Sequence, residues 1–113
     1  MKIQILHNPR CSKSREAMKL LEERGVTFEI VDYLNGSLSK KFLKDVFKAL
    51  KLRPREVLRT KEESFKSLSL DLDNNEAVIE AILNHPIILE RPIIIIGNKA
   101  VIGRPLENVL TIL

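Results

Sequence analysis

"KIQILHNPRCSKSREAMKLLEERGVTFEIVDY", residues 2–33, is the stretch whose reading decides the fold. Its start, "KIQIL" over residues 2–6, reads as a short strand. From Ser12 to about Arg24 the apolar residues Ala17, Leu20 and Leu21 recur at helical spacing, with Met18 beside them. Ser12 is placed to cap this helix and Gly25 to close it. "VTFEIVDY" then alternates Val26, Phe28 and Ile30 with polar neighbours, the pattern of a second strand. Strand, helix and strand over about thirty residues make a βαβ unit, whose right-handed crossover leaves the two strands parallel.

Beyond this unit the periodicity changes. Phe42, Leu43, Val46, Phe47 and Leu50 mark an amphipathic helix from Ser39 to Leu50, and Pro54 suits the first turn of a short helix through Leu58. Further helical pieces are expected over Glu62–Leu68 and Glu76–Leu83, the latter capped by the cluster Asp73-Asn74-Asn75. "RPIIIIGNKAVIGRP", residues 91–105, is a hairpin signal, with Gly97-Asn98 as its two-residue turn. The tail puts Leu106, Val109, Leu110 and Leu113 on one helical face. The order is βαβ, helical insert, ββα. This α/β order, with a four-stranded mixed sheet, is that of a thioredoxin-like fold. One domain over residues 1–113 is expected, with the helical insert at about 39–84.

Composition narrows the function classes. The chain has 113 residues, 44% hydrophobic and 30% charged, with net charge +4. Its basic residues are interleaved with acidic ones and only 4% of residues are aromatic, so a surface for stacking nucleic acid bases is poorly supplied. No nucleic acid partner is expected, whereas a small anionic substrate is compatible with the charge. No apolar run approaches the roughly 20 residues that span a bilayer. "MKIQILHNPR" has no small-residue cleavage site and only a very short apolar run, so neither a secretory signal nor a membrane partner is expected. A lone cysteine closes no internal disulfide and supplies no multi-thiolate metal site, which points to the reducing cytoplasm. The small size suggests a monomer.

That cysteine, Cys11, stands in "ILHNPRCSKSR" (residues 5–15), four residues after His7 and four before Arg15. Taken singly, each neighbour has a bland reading. A free cysteine is commonly a small buried hydrophobe; His7 ends a strand; Arg15 is a good helix former; Asn8-Pro9 is a turn signal. Their joint placement favours chemistry. Where strand gives way to helix, the first amides have no internal partner and the helix dipole adds positive potential, which stabilises a thiolate or a bound oxyanion. Lowering a thiol pKa by two units takes about 2.7 kcal/mol. A helix terminus supplies roughly 0.3–1 kcal/mol of that, so His7, Arg15 and the hydroxyls of Ser12 and Ser14 are candidate helpers. One Cys and one His leave too few ligands for zinc, and no metal is expected.

"HNPRCSKSR", "VDYL", "LR" at 58–59, "HPIILERPIII" and "IGRP" together resemble the glutathione- and glutaredoxin-dependent arsenate reductase (ArsC) family, from the first strand to the last helix. The resemblance implies a thioredoxin-like fold with a helical insertion and no bound cofactor. It makes Cys11 the nucleophile and His7, Ser14 and Arg15 the residues that lower its pKa. Arg59, Arg91 and Arg104 become the arginines that bind arsenate or a similar oxyanion. Pro92 falls at the cis-proline position, whereas His85–Pro86 and Arg104–Pro105 are expected to be trans. With no second cysteine to resolve an adduct, the other thiol must come from glutathione as co-substrate, with glutaredoxin as partner. Arsenate reductases that close an internal disulfide and use thioredoxin are excluded. Two alternatives remain: an Spx-like redox or transcription regulator, disfavoured as a Cys-x-x-Cys switch because Ser14 occupies the second position, and a glutathione-dependent thiol oxidoreductase, which has no need of three arginines.

Overall fold

The computed structural model describes residues 2–113, and the chain divides into two compact units, one of residues up to Tyr33 together with Arg91–Leu113, the other of Leu34–Glu90. The first unit holds the sheet. Its strands are β1 (Ile3–Leu6), β2 (Glu29–Val31), β3 (Ile93–Ile96) and β4 (Lys99–Ile102), with α1 (Ser12–Glu23) between the first two. They lie in the order β2-β1-β3-β4. β1 runs parallel to β2, while β3 is antiparallel to both β1 and β4. This is the mixed, thioredoxin-like α/β arrangement.

Register explains the core. Ile5 stands opposite Ile30 on one side and Ile94 on the other, and Ile94 in turn opposes Val101. Ile5, Ile94 and Ile96 share a cluster with Ala17 and Leu21 of α1 and Val109 of the tail. All four isoleucines of β3 are buried, so this strand has no polar face to alternate. β2 is shorter than the apolar alternation of 26–33 suggests, because it is an edge strand with one partner; Ile30 is exposed there, while Val26 and Phe28 pack on the cluster from outside the strand. α1 ends where expected. Gly25 has φ +69° and donates to the Glu22 carbonyl, and Val26 donates back to Leu21, a Schellman closure.

The tail departs from expectation. Leu106–Thr111 is a 3₁₀ helix, not an α-helix. Three residues per turn place Leu106, Val109 and Ile112 on one face, and these are the side chains that meet the cluster. Leu110 and Leu113, assigned to that face by α-helical spacing, are 41% and 42% exposed.

The second unit is helical: α2 (Lys40–Leu50), α3 (Glu63–Lys66), α4 (Asn75–Asn84) and 3₁₀ turns at Pro54–Val57 and Pro86–Ile88. Ser39 Oγ accepts from the Phe42 amide and Asn74 Oδ1 from the Ala77 amide, so each longer helix has a side-chain N-cap. α2 buries Leu43, Val46 and Phe47; α4 buries Val78, Ile79, Ala81 and Ile82. On the exposed rim Lys40 meets Glu76 at 2.7 Å and Glu80 at 3.3 Å, and these carboxylates raise its pKa. Leu58 and Leu89 form an antiparallel bridge, with Arg59 N–H donating to Ile88 O and Glu90 N–H to Val57 O. Among the described residues no helix is long and apolar enough to cross a membrane.

Candidate active site

Cys11 is the N-cap of α1, in extended backbone (φ −95°, ψ 121°), and Ser12 is the first helical residue. The expected Ser12 cap is therefore displaced by one position: the turn before the helix ends on the cysteine. Asn8 sets that turn. Its Oδ1 accepts from Arg10 N–H at 3.0 Å and its backbone carbonyl accepts from Cys11 N–H at 3.0 Å, the hydrogen-bonding of an Asx turn. The Asn8-Pro9 pair, read singly as no more than a turn, is what aims the thiol. Cys11 is buried, at 7% exposed.

Burial alone would push the Cys11 thiol pKa up. Against it act the Ser14 amide, the Arg91 side chain by hydrogen bond, the Lys13 amide and the Arg91 charge, and the net result is a lowered pKa. The two amides belong to the first turn of α1. Neither forms a closed cap hydrogen bond with the sulfur, and they act as aimed dipoles at the helix terminus. Arg104 Nη2 lies 3.2 Å from Cys11 Sγ, and Arg104 Nε donates to the Arg91 carbonyl at 2.7 Å. The outer ends of the β3–β4 hairpin thus bring Arg91 and Arg104 to the same sulfur.

The other residues around the thiol act differently from a simple ring of cations. His7 Nδ1 is 2.6 Å from Ser14 Oγ, which also accepts from Asn8 N–H at 3.0 Å. Burial and then the Arg15 charge lower the His7 pKa, which disfavours its charged form. Ser14 is fully buried; its hydroxyl lies against His7 at 2.6 Å, and its backbone amide lowers the thiol pKa. Arg15 Nη1 donates to the Pro9 carbonyl at 2.8 Å, so its guanidinium braces the loop. Ser12 is exposed.

The Arg91–Pro92 and Arg104–Pro105 peptide bonds are both cis. The second corrects the expectation of a trans bond. Pro105 precedes the 3₁₀ helix as its N-cap (φ −68°, ψ 165°) and is not its first helical residue, so the helix-start argument does not apply to it. Gly103, between β4 and Arg104, has a reason that its sequence context hides. Its N–H donates to Pro92 O at 2.8 Å, and a Cβ there would fall 2.9 Å from Pro92 Cγ.

Arg59 belongs to the helical unit. Its Nε donates to Glu62 Oε1 at 3.1 Å and its Nη1 to Glu90 Oε1 at 3.2 Å. Sequence reading carried no hint of this double pairing, since Glu90 is distant along the chain. Asn108, which touches the backbone of Arg104, reads in the sequence as no more than a polar position on a helix surface.

A mixed four-stranded sheet with one thiol of lowered pKa at the terminus of the helix after its first strand defines a thioredoxin-like thiol protein with arginines at the sulfur. The chain belongs to the ArsC family, whose model matches residues 6–112. It is 49% identical over 114 residues to an arsenate reductase of Neisseria meningitidis serogroup A, covering 98% of this chain and 97% of that one. It is 47% identical over 116 residues to an arsenate reductase of Haemophilus influenzae, covering both chains completely. An arsenate reductase structure from Vibrio cholerae matches with a TM-score of 0.89 at 39% identity, over 100% of this chain and 98% of that one.

Proposed function

We propose that this protein reduces arsenate to arsenite through a cysteine-bound arsenic adduct, with glutathione and glutaredoxin as the electron source. The observation that carries this reading is the Arg104 guanidinium 3.2 Å from a thiol whose pKa is lowered. A thiolate and an anionic substrate repel each other, and fixed guanidinium groups offset that repulsion while matching oxyanion geometry. Relatives named arsenate reductase supply the substrate.

In the proposed sequence Arg91 and Arg104 hold the oxyanion against the helix terminus. The Cys11 thiolate attacks arsenic; an S–As bond forms, one As–O bond breaks, and that oxygen leaves as water after taking up protons. A glutathione thiolate then attacks Cys11 Sγ. An S–S bond forms, the S–As pair of electrons passes to arsenic, and arsenite departs in the trivalent state. The mixed disulfide between Cys11 and glutathione is reduced by a glutaredoxin thiol, which regenerates Cys11 and is itself restored by a second glutathione. Two thiols become one disulfide, which balances the two electrons gained by arsenic. The chain's single cysteine fits this division of labour. The reducing cytoplasm is the matching compartment, and the protein acts as a monomer in this scheme.

The test is arsenite release with glutathione and glutaredoxin, comparing the parent with Cys11→Ser. The parent is expected to turn over and the variant to fall to background. Equal rates, or no release by the parent, overturn the proposal.

A further inference from the structure

We infer that Asn108 is a positioning residue for Arg104: its side-chain amide bridges the carbonyls of Ile102 and Arg104 and thereby fixes the direction from which the guanidinium meets Cys11 Sγ. Asn108 Nδ2 donates to Ile102 O at 3.1 Å and to Arg104 O at 3.2 Å. These two carbonyls flank Gly103, in the segment after β4 ends at Ile102 and before the 3₁₀ helix begins at Leu106. Neither ladder nor helix fixes the backbone in this gap, so other hydrogen bonds hold it. Gly103 N–H to Pro92 O secures one side of the segment, and the Asn108 amide secures the other.

Asn108 is itself well anchored. Its own N–H donates to Pro105 O at 3.0 Å, its carbonyl accepts from Thr111 Oγ1 at 2.6 Å, and its neighbour Val109 is fully buried in the sheet's cluster. The hydrophobic core therefore holds the tail, the tail holds Asn108, and Asn108 holds the backbone from which Arg104 reaches the thiol and the Arg91 carbonyl. A guanidinium that tilts out of line loses hydrogen-bond strength steeply, so backbone placement matters as much as the arginine itself.

This inference rests on Arg104 being the group that meets sulfur and substrate, and its test is chosen to stand apart from arsenate turnover. Thiol reactivity toward iodoacetamide is titrated against pH in the parent, in Asn108→Leu, in Arg104→Gln and in the double variant. Asn108→Leu keeps the side chain's bulk and removes both donors; at a pH well below the thiol's pKa it is expected to cut the thiolate fraction by up to about tenfold, the scale of one good hydrogen bond. In the Arg104→Gln background the same change is expected to move the titration no further. Asn108→Gln, which keeps the amide on a longer stem, should recover part of the loss. Should Asn108→Leu fail to fold, Asn108→Ala takes its place in the same four-way comparison. An unchanged titration in a folded variant, or an equal shift with and without Arg104, overturns the inference. Absence of arsenite release with the titration shift intact counts against the proposed reaction alone.

Discussion

The two units hold their arginines in opposite ways. In the sheet-bearing unit Arg104 donates to a sulfur and a backbone carbonyl. In the helical unit Arg59 donates to two carboxylates, Glu62 and Glu90. A guanidinium between two carboxylates has its charge balanced within its own unit. One that faces a thiol and a carbonyl keeps a full positive charge to offer to a thiolate or an incoming oxyanion. Three arginines inferred from family resemblance are thus not three equivalent charges; what surrounds each decides how much of it a ligand can draw on.

The strongest way to break this contrast is Arg104→Gln. If Arg104 stabilises the reacting anion, kcat/KM for arsenate falls by about a hundredfold, the scale for losing one charge-assisted donor in a shielded site. The thiol titration should move with it. In the parent, alkylation is expected to be half-maximal at a lower pH than for the same thiol in the unfolded chain, because the Cys11 pKa is lowered. The linkage sign follows: the folded chain releases this proton more readily than the unfolded one. Stability gained from the thiolate is therefore complete above about pH 8.5 and is lost as pH falls through the lowered folded value. Because Arg104 Nη2 lies 3.2 Å from the sulfur, Arg104→Gln should raise the pH of half-maximal alkylation. A variant with parental kcat/KM and titration would put Arg104 in the same class as Arg59.

The next test concerns what holds each arginine's backbone. Arg104 depends on a tail whose buried face follows a three-residue period through Leu106, Val109 and Ile112. Val109→Ala removes fully buried apolar atoms and is expected to cost about 1.5–3 kcal/mol in denaturant unfolding. Leu110→Ala, on the exposed side, should stay within about 0.5 kcal/mol. Equal costs would mean that the tail packs with α-helical spacing in solution and that Arg104 is anchored differently.

The same contrast marks how far the sequence could be read. The sheet unit was legible because its signals are local. "KIQIL", the 12–24 periodicity and "RPIIIIGNKAVI" each specify an element, and chain order then gives the topology. Cys11 was legible for the same reason, since a lone cysteine at a strand–helix junction announces its setting. What escaped was contact between residues distant in sequence or specified by backbone detail. Nothing local says that the Ser14 hydroxyl turns to His7 while its amide faces the sulfur. The 3₁₀ winding of the tail could not be told from α-helix by four apolar residues whose spacing fits either period in part. Arg59 reads as a surface cation because its partner Glu90 arrives only through the bridge of Leu58 to Leu89.

The smallest expected effect sharpens the case of Arg59. Arg59 and Glu62 are partly exposed, at 23% and 28% of their side-chain surface, and such pairs contribute about 0–1 kcal/mol. Glu62→Gln should accordingly leave stability within about 1 kcal/mol of the parent. Its use is kinetic. The substitution removes one of the two carboxylates that compete with any anion for the Arg59 guanidinium. If Arg59 binds arsenate, as the resemblance implies, KM for arsenate should fall by up to about fivefold, the ceiling set by that pair energy. The gain should vanish when Arg59→Ala is added, because a general rise in positive potential would survive that change and a released guanidinium would not. A KM unmoved by Glu62→Gln and by Arg59→Ala alike would assign Arg59 to the internal bracing of the helical unit, leaving the handling of the anion to Arg91 and Arg104.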